Sequence, residues 1–368
     1  MTKLRIVVSG GGTGGHIYPA MALIKRLKER ELVDEVLYVG TQKGLESKIV
    51  KNAGIPFKTI EIKGFKRKLT LENIKVMQLF LSSVGKSKKI IKEFRPDVVI
   101  GTGGYVSSAV VYAAHRLHIP TVIHEQNTIA GITNKFLGHF VDKIAIAFKE
   151  AQDQFSEKRK IVFTGNPRAQ EVAKIKVNDR LKYYKLQADK PTVMIFGGSR
   201  GAAPINRTTI ESLSKFSQSD YQVLFVTGRV HYEDVIKKID SNSINMENIS
   251  VQPYIDNMPE ILPDISLIVG RSGATSIAEI TALGIPAIFI PSPYVTHDHQ
   301  TKNALSVAKN GAAVMITEDN LTEESLYSEV NKIMSSKDIR VKMSNASKEI
   351  GVPDAADKLI KVLTALVK

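Results

Sequence analysis

Four times along the chain a β-branched run meets a glycine-rich turn and then a helix-like run. The copies read "LRIVVSGGGTGGHIYPAMALIKRLKER", "PDVVIGTGGYVSSAVVYAAHRL", "PTVMIFGGSRGAAPIN" and "ISLIVGRSGATSIAEITALGIPAIFIP". Short apolar strands alternating with helical runs build βαβ units, and these form parallel sheets with helices on both faces. The first two copies end before residue 125 and the last two begin after 190. An α/β chain of two doubly wound domains is therefore predicted, and 368 residues is a comfortable length for two cores. Between them "FTGNPRAQEV" carries Gly165 and Pro167, so the domains are expected at 1–164 and 165–351. The closing run, "DAADKLIKVLTALVK", is an amphipathic helix able to pack on either one. Ligands of such sheets bind beyond the carboxyl ends of the strands, so the glycine turns of both domains are expected to face one two-substrate cleft.

Gly10, Gly12 and Gly15 fit the G-x-G-x-x-G spacing of dinucleotide sites. A nicotinamide site also needs an acid at the end of the second strand to hold ribose hydroxyls. Here "EVLYVGTQKG" ends in Val39, Gly40 and Thr41, while Asp34 and Glu35 stand at its other end. A nicotinamide-dependent oxidoreductase is thus disfavoured, and no cofactor is expected. His16 follows directly behind the last glycine. The positive end of a helix disfavours imidazolium, and a neutral ring can accept a proton as a general base must. A lone histidine also suits a capping or core role. Five glycines in the six preceding residues strip side chains away and let a substrate come close, which favours catalysis.

The formal charge is +14, which calls for an anionic partner. Lys58 to Arg95 holds eleven Lys/Arg against three acids, more than half of that excess. In this segment Leu71, Ile74, Leu81 and Val84 share one helical face, which core packing would explain. Phe80 and Leu69 fall outside that face. With dense cations around these two, docking on anionic lipid headgroups is expected, each surface lysine adding on the order of 1 kcal/mol. No RNP-type motif interleaves the cations, so nucleic acid is not the expected partner. No apolar run is long enough to span a bilayer, and the first residues lead into a strand, not a signal peptide. With no cysteine, disulfides and thiolate chemistry are excluded. "HDH" (His297, Asp298, His299) lacks a third ligand near it in sequence, so no metal site is expected.

Taken in order, "GGGTGGHIYPA", "GTGGYVS", "HEQN", "GNPR", "GGSRGA" and "RSGATSIAEITALGIPAIFIP" resemble the MurG family of UDP-N-acetylglucosamine transferases, from about residue 4 to beyond 310. The resemblance implies the GT-B fold, two Rossmann-like domains about a central cleft, with a C-terminal helix (352–368) crossing back to the first. It implies transfer of N-acetylglucosamine from UDP-GlcNAc to the 4-hydroxyl of muramic acid in undecaprenyl-diphospho-muramoyl-pentapeptide, with inversion in a single displacement. That acceptor would place the protein on the cytoplasmic face of the cell membrane as a peripheral protein. A related glycosyltransferase with another lipid acceptor is the alternative.

By the same resemblance Thr13, Gly14, Gly15 and Asn127 meet the donor from the first domain. Arg168, Ser199, Ile255, Ala274, Thr275, Ser276, Glu279 and Gln300 meet it from the second, Glu279 at the ribose and Gln300 at the sugar hydroxyls. Gly103, Gly104, Tyr105 and Glu125 are assigned to the acceptor. His16 is the expected base, with His124 and Glu125 as rivals. One form of the family carries two glutamines where this chain has His299 then Gln300, which puts one sugar contact in question. No Asp-x-Asp pair is present for a divalent ion, so metal-independent chemistry with helix N-termini at the leaving diphosphate is expected.

Overall fold

The structure, a computed structural model, describes residues 3–64, 71–198, 200–241 and 244–367 (71–73 by backbone alone). The chain divides into two compact units, Met1–Arg168 with Asp354–Lys368, and Ala169–Pro353. The division at Arg168 falls a few residues beyond the boundary read from sequence, so Arg168 closes the first unit.

The first unit runs β1 (Leu4–Gly10), α1 (Gly14–Glu29), β2 (Val33–Gly40), α2 (Leu45–Asn52), β3 (Phe57–Thr59), α3 (Leu71–Phe94). It continues through β4 (Val98–Gly103), α4 (Tyr105–His115), β5 (Thr121–Glu125), α5 (Ile132–Gly138), β6 (Lys143–Ile146) and β7 (Ile161–Phe163). Helix α6 (Arg168–Ala173) leads into the second unit. There follow β8 (Thr192–Phe196), α7 (Ala203–Phe216), β9 (Gln222–Val226), α8 (Tyr232–Asp240), β10 (Ile249–Gln252) and α9 (Met258–Ile261). The unit continues with β11 (Leu267–Gly270), α10 (Ala274–Leu283), β12 (Ala287–Phe289), α11 (His299–Ala308) and β13 (Ala313–Met315). Helices α12 (Glu323–Met334) and α13 (Lys337–Ile350) complete it, and α14 (Ala355–Leu366) rejoins the first unit.

Both sheets are parallel, seven strands in the order β3-β2-β1-β4-β5-β6-β7 and six in the order β10-β9-β8-β11-β12-β13. Strand residues alternate sides, so β1 and β4 feed two cores at once. Val7 and Val99 point to the core under α3, α4 and α5, while Ile6, Val8, Val98 and Ile100 point to the one under α1 and α14. This two-faced burial is why the strands read as continuous apolar runs. In each sheet the direction of winding reverses at one place, β1/β4 in the first and β8/β11 in the second. Ligands of doubly wound sheets bind at such a reversal.

Helix α3 corrects the sequence reading of its faces. Val84, Ile90 and Ile91 are buried and Phe80 packs against the core, in a ring cluster with Tyr112 and Phe136. Ile74 and Leu81 are 58% and 61% exposed, and Met77 lies between them, also exposed. Two apolar stripes run along one helix, and the stripe assigned to the core includes residues that face outward. Phe65, Leu69 and the side chain of Leu71 lie outside the described residues.

Candidate active site

The loop between β1 and α1 forms because glycine alone tolerates its path. Gly12 has φ +85°, and the neighbouring β4–α4 turn presses against this loop backbone to backbone. Gly104 has φ +82°, and a Cβ there would sit 2.3 Å from the Gly11 carbonyl oxygen. Gly11 N donates to the Gly103 carbonyl at 3.2 Å. With side chains removed, the first turn of α1 opens onto the crevice between β1 and β4.

His16 stands in that first turn, half-buried. Its Nδ1 lies 2.9 Å from the Gly11 carbonyl oxygen, which can only accept, so Nδ1 carries a proton and, in the neutral ring, Nε2 keeps its lone pair. The ring edge rests on Gly103, where a Cβ would come within 2.9 Å of Nε2. Thr102 Oγ1 donates to the His16 carbonyl at 2.7 Å. Thr13 and Gly15 are exposed beside it, with Gly14 partly so, and Tyr105 projects from the start of α4 at 59% exposure. The structure thus brings Thr13, Gly14, Gly15, His16, Gly103, Gly104 and Tyr105 to one crevice.

The segment after β5 behaves differently. His124 is wholly buried; its Nε2 donates to the Gly165 carbonyl at 2.9 Å and its Nδ1 accepts from Gln126 Nε2 at 3.0 Å. Burial holds this imidazole below the ordinary histidine value, against the opposing pull of the Gly165 carbonyl and the Glu125 charge. Both ring nitrogens are engaged, and no face is open to an acceptor hydroxyl. Glu125, 2% exposed, accepts from Asn127 N at 3.0 Å, Gly131 N at 2.9 Å and Asn134 Nδ2 at 2.8 Å. Its carboxylate holds the loop that carries Asn127. As rivals to His16 for proton abstraction, both residues are disfavoured by this geometry. Arg168, at the end of the unit, lies with its guanidinium 5.8 Å from the centre of the Tyr18 ring.

In the second unit the β8–α7 turn repeats the glycine device. Gly198 and Gly201 have φ +93° and +76°, and a Cβ on Gly201 would meet the Thr227 carbonyl oxygen at 2.1 Å. Ser199 lies outside the described residues. Across the reversal, Ala274, Thr275 and Ser276 form the first turn of α10, with Glu279 on the same helical face and only 9% exposed. Among the described residues Thr275 Oγ1 is buried without a partner. Ile255 is 3% exposed, so its side chain packs inward.

Gln300 opens α11, where Ser292 N donates to its Oε1 at 2.9 Å and Ser272 Oγ donates to its main-chain carbonyl at 2.8 Å. With Oε1 engaged, the amide nitrogen is the group left to donate to a ligand. The two residues ahead of His299 have left-handed backbone, φ +57° at His297 and +50° at Asp298. His299 Nδ1 donates to the Thr296 carbonyl at 2.8 Å and Asp298 accepts from Thr301 Oγ1 at 2.6 Å. "HDH" is a tight turn that aims Gln300. Among the described residues no three His, Asp or Glu side chains are grouped to hold a metal ion.

Sequence reasoning passed over Glu46, Tyr38, Thr102 and Ser272, which support these turns from beneath. Their only sequence signal is a polar residue next to a glycine turn, and the contacts that matter come from other strands.

Two such sheets with glycine turns at their reversal points make a nucleotide-binding architecture, and the matching families place it among glycosyltransferases. The description "Glycosyltransferase family 28 N-terminal domain" matches residues 6–146, and "Glycosyltransferase family 28 C-terminal domain" matches 192–359. A UDP-N-acetylglucosamine–N-acetylmuramyl-(pentapeptide) pyrophosphoryl-undecaprenol N-acetylglucosamine transferase of Latilactobacillus sakei is 56% identical, over 98% of this chain and 100% of its own. The enzyme of that name in Pediococcus pentosaceus is 57% identical, over 99% and 100%. The crystal structure of Acinetobacter baumannii MurG superposes with a TM-score of 0.78 at 28% identity, covering 98% of this chain and 99% of that one. The chain belongs to the MurG family of glycosyltransferases.

Proposed function

We propose that His16 is the base with which this chain moves N-acetylglucosamine from UDP-GlcNAc to the 4-hydroxyl of muramic acid in undecaprenyl-diphospho-muramoyl-pentapeptide. The reaction turns lipid I into lipid II in peptidoglycan synthesis. Membership of the family supports the donor and the acceptor. One observation carries the role of His16: Nδ1 is tied to the Gly11 carbonyl at 2.9 Å, so in the neutral ring Nε2 is the nitrogen that can take a proton at the β1/β4 reversal.

The chemistry is one displacement. The acceptor oxygen attacks the anomeric carbon as Nε2 takes its proton, and the bond from that carbon to the diphosphate oxygen breaks. UDP departs on the face opposite attack, so an α-linked donor yields a β-linked product. The free amides at the start of α10, with the Thr275 hydroxyl, are suited to the charge that builds on the diphosphate. Glu279 is assigned to the ribose, Ile255 to the uracil, and Gln300 to the sugar hydroxyls through its amide nitrogen. Asn127, Arg168, Thr13, Gly14 and Gly15 complete the donor contacts. Gly103, Gly104 and Tyr105 take the acceptor, and Glu125 serves them by holding its own loop. Ser199 keeps its place among the donor contacts.

We assign the outward stripe of α3 to the membrane. Ile74, Met77 and Leu81 stand exposed with Lys75 beside them, and exposed Ile132, Lys135 and Phe136 of α5 add to the same surface through the Phe80–Phe136 ring contact. No helix among the described residues is long and apolar enough to cross a bilayer. Peripheral attachment to the cytoplasmic face fits a lipid-borne acceptor.

The test is turnover with UDP-GlcNAc and a short-chain lipid-linked muramoyl-pentapeptide. UDP release is expected with a β-linked product, unchanged by chelator. His16→Ala should reduce kcat by about 10² or more, the scale of a lost general base. A His16→Ala enzyme within about threefold of wild type would remove His16 from the chemistry.

A further inference from the structure

A buried carboxylate lies beneath the glycine loop and takes no part in the mechanism above. Glu46, in the first turn of α2, is 0% exposed. Its Oε1 accepts from Thr41 N at 2.9 Å and Thr41 Oγ1 at 2.6 Å, and its Oε2 accepts from Gly12 N at 3.1 Å. Three glycines make room for it. A Cβ on Gly11, Gly40 or Gly44 would fall 2.6, 2.7 or 2.2 Å from atoms of the Glu46 side chain. A glutamate in a first helical turn ordinarily sits in water facing the helix dipole. This one is walled in, and burying a carboxylate is costly unless donors satisfy it.

The pinning of the loop is continuous. Tyr38 donates its hydroxyl to the Gly10 carbonyl at 2.8 Å, Gly103 accepts from Gly11 N, and Glu46 accepts from Gly12 N. The carbonyl left over is that of Gly11, which takes the His16 Nδ1 proton at 2.9 Å. The peptide joining Gly11 to Gly12 carries both groups: its oxygen faces His16 and its N–H faces Glu46. Because a peptide unit is planar, the orientation of one end sets that of the other.

We infer that Glu46 is a positioning residue for the transfer: by holding Gly12 N it turns the Gly11 carbonyl toward His16 and so keeps the unprotonated nitrogen of the ring on the acceptor. The inference rests on His16 being the base. Burial pushes the Glu46 carboxyl up, but the bonds from Thr41 and Gly12 outweigh it and hold the group below the usual glutamate value, ionised and accepting only.

The substitution that separates the two arms is Glu46→Gln. An amide has one accepting oxygen; if it keeps the two Thr41 donors, its NH2 meets Gly12 N–H, and two donors repel. Thr41→Val removes one donor from the other arm and leaves the Gly12 arm intact. Glu46→Gln is expected to reduce kcat about tenfold while KM for either substrate changes less than about twofold, a misplacement effect. Thr41→Val should stay within about twofold in kcat. Histidine 15N spectra, with His16 assigned by its loss in His16→Ala, should show Nδ1–H in the wild type and growth of the Nε2–H form in Glu46→Gln. Combined with His16→Ala, Glu46→Gln should cost nothing further.

Wild-type kcat and an unchanged tautomer in Glu46→Gln, alongside a crippled His16→Ala, would overturn the role of Glu46 alone. A fully active His16→Ala would overturn the base and Glu46 together. Should Glu46→Gln fail to fold, the wild-type spectrum decides, because a resting Nε2–H tautomer contradicts the geometry on which the inference stands.

Discussion

His16 and His124 show how neighbours decide what a histidine does. One keeps a free nitrogen at an open crevice; the other is sealed with both nitrogens bonded. For His124 this has a consequence for stability. Its folded value is depressed by burial, so the folded ring stays neutral while the unfolded chain takes up a proton below about pH 6.5. The unfolded state then binds more protons, and stability falls as pH drops from about 6.5 toward the folded value. Above that window the contribution is fully present. Glu46 shares the sign but acts lower, below the ordinary glutamate range, since its folded carboxyl is also depressed. Thermal unfolding followed from pH 7.5 to 5 should therefore show the wild type losing stability, and His124→Gln, though weaker at pH 7.5, should show a flatter slope. An equal slope in both would mean that His124 already titrates freely in the fold.

Helix α3 carries two apolar stripes, and only one reaches the core. The outward one, with Ile74 and Leu81 at 58% and 61% exposure, makes the membrane assignment testable without touching the crevice. Burying a large aliphatic side chain contributes about 1.5–3 kcal/mol, so losing two from a bilayer contact weakens it at least tenfold by rough area bookkeeping. Ile74→Glu with Leu81→Glu should weaken co-sedimentation with anionic vesicles by that order, while turnover of a soluble short-chain acceptor stays near wild type. Undiminished vesicle binding would remove this stripe from the membrane contact. Elements of this size divide into those legible from sequence and those that were not. The strands and the glycine turns at residues 10–15, at 103–104 and at Gly197, Gly198 and Gly201 were readable because β-branched runs and glycines act locally. Periodicity showed that α3 was amphipathic but not which stripe faced in, since that depends on what α4 and α5 present to it. Glu46 was illegible for a related reason. Its burial comes from Gly11, Gly40 and Gly44 converging on it, and nothing in "GLESK" distinguishes it from a solvated glutamate.

Over the whole molecule the chain leaves its first unit at Arg168 and returns to it at Asp354, so one unit is built from two separated stretches. The run by itself lets α14 pack on either unit, and the family resemblance assigns it to the first; in the structure its apolar face packs against α1. Leu359, Ile360 and Leu363 are buried in one cluster with Leu23, Ile24 and Leu27 of α1. Asp357 adds a bidentate pair with Arg26 at 2.7 and 2.9 Å, and a contact to Arg30 at 3.0 Å. Which of these holds the helix follows from magnitudes. A partly exposed ion pair contributes about 0–1 kcal/mol, whereas Leu→Ala in a packed core costs about 2–5 kcal/mol. Leu363→Ala is thus expected to destabilise the first unit several times more than Asp357→Ala. A chain of two cores need not unfold in one step, which makes the location of the effect readable. Calorimetry should show Leu363→Ala lowering a transition that belongs to the first unit, with the transition of the second, whose core contains no residue of α14, left in place. If both transitions fell together by the same amount, the two units would unfold as one, and the helix would be supporting the whole chain and not the α1 face alone.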